Sequence, residues 1–239
     1  SDKEIFNSTD KAIWQNNTKL KIVTHHWGDN WNKGFDIYFE LDNLLDQTKY
    51  SEKIKFTYIG NLPKNFKFRN VSHIEPTHGK DLAKLIKNNH IYLTASKNEP
   101  SGNHHIEASQ CGLPVLYLNS GGIPEFCNGY GLMFEENNFE SKLNEIINNY
   151  KNYEQKMSSY PFNSEKMCKD YLNLFLYMKE NEKQIIKSRS NELDYLLYSK
   201  YIFQCKRKLN NYINKSNLLV STYTLLNRIY LKLKSIIVK

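Results

Sequence analysis

Between Leu20 and Tyr150 the chain alternates short apolar segments with amphipathic ones. Runs of alternating or continuous apolar residues that end at turn-forming residues are typical of β-strands. Strands that alternate with helices predict an α/β fold, in which a parallel sheet is covered by helices on both faces. The predicted strands are Leu20–Thr24, Ile54–Gly60, Val71–Ile74, Ile91–Ala95, Pro114–Leu118 and Gly131–Phe134.

Helices are predicted where apolar residues recur three and four positions apart. One helix begins at Gly34, another lies between Val71–Ile74 and Ile91–Ala95, and a third follows the loop after Ile91–Ala95. Ligands of parallel sheets bind at the carboxyl ends of the strands. The loops that hold Lys33 and Glu99 both follow predicted strands, so a ligand is expected there.

The strand pattern stops near residue 155 and a helical pattern replaces it. Asn163 and Ser164 are suited to cap the first of these helices, and two further helices are predicted at 182–209 and 216–238. The expected domains are a linker remnant at 1–18, an α/β domain at 19–178 and a helical basic extension at 179–239.

Composition is consistent with a folded protein and predicts no membrane span. The chain has 239 residues, of which 40% are hydrophobic and 13% aromatic, enough to bury a core. No apolar run reaches the length of about 18 residues that a spanning helix needs. The four cysteines are widely spaced and form no Cys-x-x-Cys pair, which favours free thiols in a reducing cytoplasm.

The net charge of +8 originates in the segment 206–239, which carries eight Lys and Arg residues and no Asp or Glu. On a helical wheel its apolar residues share one face, which predicts a basic amphipathic helix. Such a helix either packs on a protein surface or lies on the anionic inner face of a membrane, and both interpretations stay open. No nucleic-acid-binding motif is present, so no nucleic-acid partner is predicted.

The most informative stretch runs from Glu99 to Glu107, between a predicted strand and a predicted helix. Pro100-Ser101-Gly102 predicts a turn there, so Glu99 should lie on a loop and Glu107 about one turn inside the helix. Backbone amides at a helix start bind phosphate, and carboxylates accept hydrogen bonds from sugar hydroxyls. A nucleotide sugar has both groups, and it is the ligand that this stretch favours.

At this point the sequence resembles the nucleotide-sugar-binding, C-terminal half of a retaining GT-B glycosyltransferase of the group 1 type. Lys33-Gly34 is similar to the family's Lys-Gly after its first strand, and Glu99-x7-Glu107 to its paired glutamates. The resemblance implies a Rossmann-like parallel sheet, which is one half of a GT-B fold. The third signature consists of Cys111-Gly112-Leu113-Pro114-Val115 and Ser120-Gly121-Gly122-Ile123-Pro124-Glu125.

The resemblance also implies roles for individual residues. Lys33 is expected to neutralise the donor diphosphate, and Glu107 to accept hydrogen bonds from the ribose hydroxyls. Glu99 is the expected catalytic residue, since it would contact the transferred sugar and stabilise positive charge at the anomeric carbon. The other implied donor-binding residues are Gly34, Gly102, Asn103 and His104, the last three through backbone amides.

The implied reaction moves a sugar from a nucleoside diphosphate sugar to an acceptor hydroxyl, with retention and with no cofactor or metal. UDP is expected because it is the commonest nucleotide in this family. The acceptor is expected to be a sugar, a lipid-linked glycan or a protein. The alternative is a non-catalytic nucleotide- or carbohydrate-binding module of a polysaccharide assembly system.

The sequence departs from the family pattern in two ways. Gly28 lies where the family often has an Arg, so a second cationic phosphate contact is missing. The start of the sequence also resembles the interdomain linker of a GT-B enzyme, so the acceptor half is expected to lie outside this sequence, whether truncated, encoded separately or lost. The histidine pairs His25-His26 and His104-His105 do not predict a metal site, because adjacent side chains on a strand or helix point apart.

Overall fold

A computed structural model of the protein describes residues 1–15, 17–189, 203–205 and 207. Within these residues, six strands form one sheet in which every pair of neighbours is parallel. The strands are β1 (Leu20–His26), β2 (Ile54–Gly60), β3 (Ser72–Ile74), β4 (Ile91–Thr94), β5 (Val115–Leu118) and β6 (Gly131–Phe134).

The strand order is β3-β2-β1-β4-β5-β6, so the chain first builds outward from β1 and then continues from its other side at β4. This is the order of a doubly wound Rossmann sheet, in which the crevice between the two central strands binds ligands. The predicted α/β, Rossmann-like fold is confirmed.

Helices connect the strands, and most of them occur where apolar periodicity predicted them. Four short segments were not predicted, because they are shorter than the window over which helical periodicity is recognised. They are the helices α2 and α7 and the 3-10 turns at Trp31–Lys33 and Met157–Ser159. The helices are α1 (Phe35–Leu44), α2 (Thr48–Ser51), α3 (Gly79–Lys87), α4 (Asn103–Gln110), α5 (Ile123–Cys127), α6 (Phe139–Asn148), α7 (Tyr150–Lys156) and α8 (Ser164–Glu180).

Two apolar clusters cover the two faces of the sheet. On β1, Ile22 belongs to one cluster and the next residue, Val23, to the other, because successive side chains of a strand point to opposite faces. Phe35 and Tyr38 of α1 pack in the first cluster, and Ala108 of α4 packs in the second. Helices α1 and α4, which follow the central strands β1 and β4, therefore lie on opposite faces.

The C-terminal region is helical where the structure describes it. Asn163 caps α8 as predicted, because its side-chain oxygen accepts a hydrogen bond from the backbone N–H of Lys166 at 2.8 Å. Residues 182–189 are also helical. Most of 182–209 and all of 216–238, where further helices are predicted, lie outside the described residues, and the domain boundaries stay predictions. Among the described helices, none has the length and apolarity needed to cross a membrane.

A buried carboxylate anchors the segment between β2 and β3 to α1. Asp42 is fully buried, and its two side-chain oxygens accept hydrogen bonds from the backbone N–H groups of Arg69 and Asn70 at 2.9 and 2.7 Å. Asp46, on the loop after α1, bonds the side chains of the same two residues but is half exposed.

We expect Asp42→Ala to lower the free energy of unfolding by about 3 kcal/mol, because it leaves two backbone donors without their charged acceptor. Asp46→Ala is the matched control and should lower it by less than about 1 kcal/mol, since exposed pairs contribute little. Urea unfolding of the three proteins measures both values. Equal effects of the two substitutions would contradict the anchoring role of Asp42.

Candidate functional site

A cleft of about 330 Å³ opens at the carboxyl ends of the central strands β1 and β4. Its lining brings together residues from the carboxyl ends of β1 and β2 and from the segments that follow β1, β3 and β4. Gly34 lies outside the lining, although the sequence analysis placed it in the site. The other predicted site residues all line the cleft: Lys33, Glu99, Gly102, Asn103, His104 and Glu107.

Lys33 and Glu99 form an ion pair across the cleft, with the Lys33 Nζ 2.7 Å from Glu99 Oε2. Lys33 ends the 3-10 turn before α1, and Gly34 follows with a φ of 94°. A side chain at Gly34 would collide with Ala95 of the loop after β4, so glycine is needed for this close approach. Gly34 therefore supports the position of Lys33 through the backbone.

The Glu99 loop rests on the turn formed by Gly121 and Gly122. The backbone N–H of Gly122 donates to the carbonyl oxygen of Glu99 at 2.8 Å, and Ser120 Oγ accepts a hydrogen bond from the N–H of Asn98 at 2.8 Å. Side chains on the two glycines would collide with the carbonyl oxygens of Glu99 and Pro100. The Gly-Gly part of the third sequence signature thus positions Glu99.

Glu107 lies one turn inside α4, as predicted, and its Oε2 is 3.0 Å from the Nε2 of His25 at the end of β1. The N-terminus of α4 faces the same cleft through Gly102 and Asn103, which both line it. A Cβ on Gly102 would lie 2.6 Å from the ring of His104 and 3.0 Å from Cγ of Glu99. Only glycine allows the loop this close to both side chains.

Two buried histidines that line the cleft are held neutral. His26 Nε2 is 2.6 Å from the Tyr38 hydroxyl, and His104 Nε2 is 2.9 Å from Thr94 Oγ1. Burial, followed by repulsion from neighbouring histidines, lowers the pKa of both His26 and His104 well below the ordinary value. Neither therefore replaces the missing cationic phosphate contact. No cluster of three metal-ligating side chains occurs in the part of the chain that the structure describes.

The sequence analysis did not predict two parts of the site. The pairing of His25 with Glu107 joins residues 82 positions apart. The second part is the wall built by Ile59 and Gly60 at the end of β2 and by Pro76 and Thr77 after β3. The position of these residues at or just after the carboxyl ends of predicted strands was the available signal, since the carboxyl ends of parallel strands share one edge of the sheet.

Residues 9–166 match the model of the family "Glycosyl transferases group 1". The chain belongs to this family. The Rossmann-like sheet matches GT-B glycosyltransferase structures, in agreement with the resemblance seen in the motifs.

One curated relative is the gpi3 subunit of phosphatidylinositol N-acetylglucosaminyltransferase from Schizosaccharomyces pombe. It is 24% identical over 143 residues, which are 54% of this chain and 31% of the relative. The chain thus spans about a third of that relative's length.

Solved structures of glycosyltransferases share the fold. A mutant of S. aureus TarM in complex with fondaparinux, α-GlcNAc-glycerol and UDP has a TM-score of 0.51 and 20% identity, covering 69% of this chain and 37% of that chain. The pneumococcal O-GlcNAc transferase GtfA in complex with UDP and GlcNAc has a TM-score of 0.51 and 14% identity, covering 71% and 37%. At these identities the similarity establishes the fold alone.

His105 of α4 makes the stability of this domain depend on pH in the acidic range. The side chain is fully buried, neither ring nitrogen has a hydrogen-bond partner in the part of the chain that the structure describes, and burial lowers its pKa from 6.5 to about 4. Between these pH values the unfolded chain binds a proton at His105 that the folded chain does not bind. The free energy of unfolding should therefore fall as pH decreases from 6.5 to 4.

We expect His105→Leu to reduce this pH slope by up to about 1.4 kcal/mol per pH unit, the contribution of one proton. Denaturant unfolding between pH 4 and 7 measures the slope. Ser109→Ala, at a buried residue of the same helix that carries no titratable group, is the control and should leave the slope unchanged. An unchanged slope in His105→Leu would show that His105 does not stay neutral in the folded protein.

Proposed function

We propose that the cleft binds a nucleoside diphosphate sugar and that the chain is the donor-binding, C-terminal half of a retaining glycosyltransferase. The whole enzyme transfers the sugar to an acceptor hydroxyl. The observation that carries the proposal is the convergence, in one cleft, of Lys33, the N-terminus of α4 and the two carboxylates Glu99 and Glu107. Together they match a ligand with an anionic centre and hydroxyl groups on both sides of it.

Lys33 and the start of α4 form the diphosphate site. Helix N-termini favour anions, and the Lys33 ammonium supplies a positive charge that is three-quarters shielded from solvent. In a transfer reaction the leaving diphosphate gains negative charge, so a fixed cation beside it stabilises the transition state. The absence of an Arg near Gly28 makes Lys33 the main cation of this site.

Glu107 and the wall at the end of β2 and after β3 form the nucleoside site. Glu107 accepts hydrogen bonds from the ribose hydroxyls, while Ile59, Pro76 and Leu82 offer apolar surface to the base. UDP is the favoured nucleotide, and the TarM and GtfA complexes, both of which contain UDP, support this choice.

Glu99 is assigned to the transferred sugar. Its carboxylate pairs with Lys33, and a bound diphosphate would compete for the same ammonium. Once released, Glu99 accepts hydrogen bonds from sugar hydroxyls and stabilises positive charge at the anomeric carbon. The leaving phosphate then acts as the base that deprotonates the acceptor, so the reaction needs neither a metal nor a cofactor.

The acceptor is a sugar, a lipid-linked glycan or a protein, and the enzyme works in the cytoplasm. The basic segment 206–239 is the proposed contact with the anionic inner face of a membrane when the acceptor is lipid-linked. This assignment is supported by charge and apolar periodicity in the sequence.

Titration calorimetry with UDP tests the donor site. We expect Lys33→Ala and Glu107→Ala each to weaken UDP binding by about 1–3 kcal/mol, the range for a lost hydrogen bond to a charged group. Lys97→Ala is the matched control, because Lys97 lies on the loop after β4 but pairs with Asp36 and Glu136 outside the cleft. No UDP binding by the wild type at millimolar ligand, or equal losses in all three variants, would contradict the donor site.

Glu99→Gln distinguishes the contribution of Glu99 to sugar binding from its effect on diphosphate binding. We expect it to bind UDP more tightly than the wild type, because Lys33 loses its competing carboxylate, and to lose the preference of the wild type for a UDP-sugar over UDP. Affinities for UDP, UDP-glucose and UDP-GlcNAc measure both effects. Weaker UDP binding with an unchanged preference for the UDP-sugar would contradict the role assigned to Glu99.

A further inference from the structure

The contact between His25 and Glu107 has a fixed hydrogen-bond direction. The two side chains are only 10% and 18% exposed, and Nε2 lies 3.0 Å from Oε2. An ionised carboxylate accepts hydrogen bonds and cannot donate them. Nε2 of His25 must therefore carry the ring hydrogen, and it donates a hydrogen bond to Glu107.

The rest of the His25 ring supports this tautomer. Nδ1 is buried and has no hydrogen-bond partner among the residues that the structure describes, so a proton there would be buried without an acceptor. The ring also packs edge-on against Tyr92, and the Tyr92 hydroxyl lies 3.2 Å from both the backbone nitrogen and the backbone oxygen of His25. The imidazole is thus held in one position, with its donor directed at Glu107.

The hydrogen bond from His25 determines which oxygen atoms of Glu107 are available to a ligand in the cleft. Oε2 is engaged by His25, which leaves Oε1 and the remaining lone pair of Oε2 to accept hydrogen bonds from a ligand. A glutamate side chain otherwise loses rotamer entropy when a ligand orders it. A fixed second group that orients a binding residue is a recurrent feature of binding and catalytic sites.

We propose that His25 is a positioning residue, which orients the Glu107 carboxylate to receive the vicinal 2′- and 3′-hydroxyls of the donor ribose. This inference rests on the proposed function, because it takes Glu107 as the ribose ligand. It adds a specificity element that the sequence motifs did not indicate: selection of ribonucleotides over nucleotides that lack these hydroxyls.

Two polar substitutions of similar size distinguish positioning from mere packing. In His25→Gln the side-chain amide reaches as far as the imidazole Nε2 and can donate to Glu107. In His25→Asn the amide reaches only the position of Nδ1 and cannot. His25→Leu removes every donor and provides a second loss variant if His25→Asn does not fold.

The experiment measures the dissociation constants of UDP and of 2′,3′-dideoxy-UDP by calorimetry, after thermal unfolding has verified that each variant is folded. We expect His25→Asn and His25→Leu to bind UDP about tenfold more weakly, which corresponds to one hydrogen bond of about 1.4 kcal/mol. Their affinity for dideoxy-UDP should stay within about twofold of the wild type, and His25→Gln should bind both ligands like the wild type.

A double-mutant cycle with Glu107→Gln completes the test. If His25 acts through Glu107, adding His25→Leu to Glu107→Gln should weaken UDP binding no further. Equal losses for UDP and dideoxy-UDP in the His25 variants, or additive losses in the cycle, would overturn the positioning role. If Glu107→Gln itself treats the two ligands as the wild type does, the ribose assignment in the proposed function fails instead.

Discussion

Strands β1 and β4 are neighbours in the sheet, yet the helices that follow them pack on opposite faces. The chain must therefore leave these two strand ends in opposite directions, which opens a crevice between their loops. Lys33 and His25 reach this crevice from the β1 side, and Glu99 and Glu107 reach it from the β4 side. Every interaction assigned to the site depends on this reversal of strand order.

The two carboxylates of the cleft each pair with a side chain from the β1 side. Glu99 and Glu107 are only 16% and 18% exposed, and a charge that is shielded from water is unstable without a partner. Lys33 pairs with Glu99 and His25 pairs with Glu107. The two pairs differ in how they respond to a ligand. A diphosphate competes with Glu99 for the Lys33 cation, whereas a ribose can bind Glu107 without displacing His25, because a carboxylate has several acceptor sites.

Glycines allow the loops of the site to approach one another. Gly34 packs against Ala95, and Gly121 and Gly122 pack against the backbone of the Glu99 loop, at positions where any Cβ would collide. Each of the three sequence signatures of the family includes a glycine whose function is steric, Gly102 being the one between Glu99 and Glu107. These glycines position the charged residues that contact the ligand in the proposed function.

The sequence by itself determined the fold class, the strand positions and the placement of Lys33, Glu99 and Glu107, because strand periodicity, turn residues and helix caps are local properties of the chain. Tertiary structure decided which of these groups meet. Lys33 and Glu99 are 66 positions apart, and His25 and Glu107 are 82 apart. Their contacts follow from the strand order, which no local pattern encodes. The burial of His105 could not be predicted from the sequence either, since a histidine near the start of a helix is usually exposed. It is the packing of α4 against its neighbours that excludes water from this side chain.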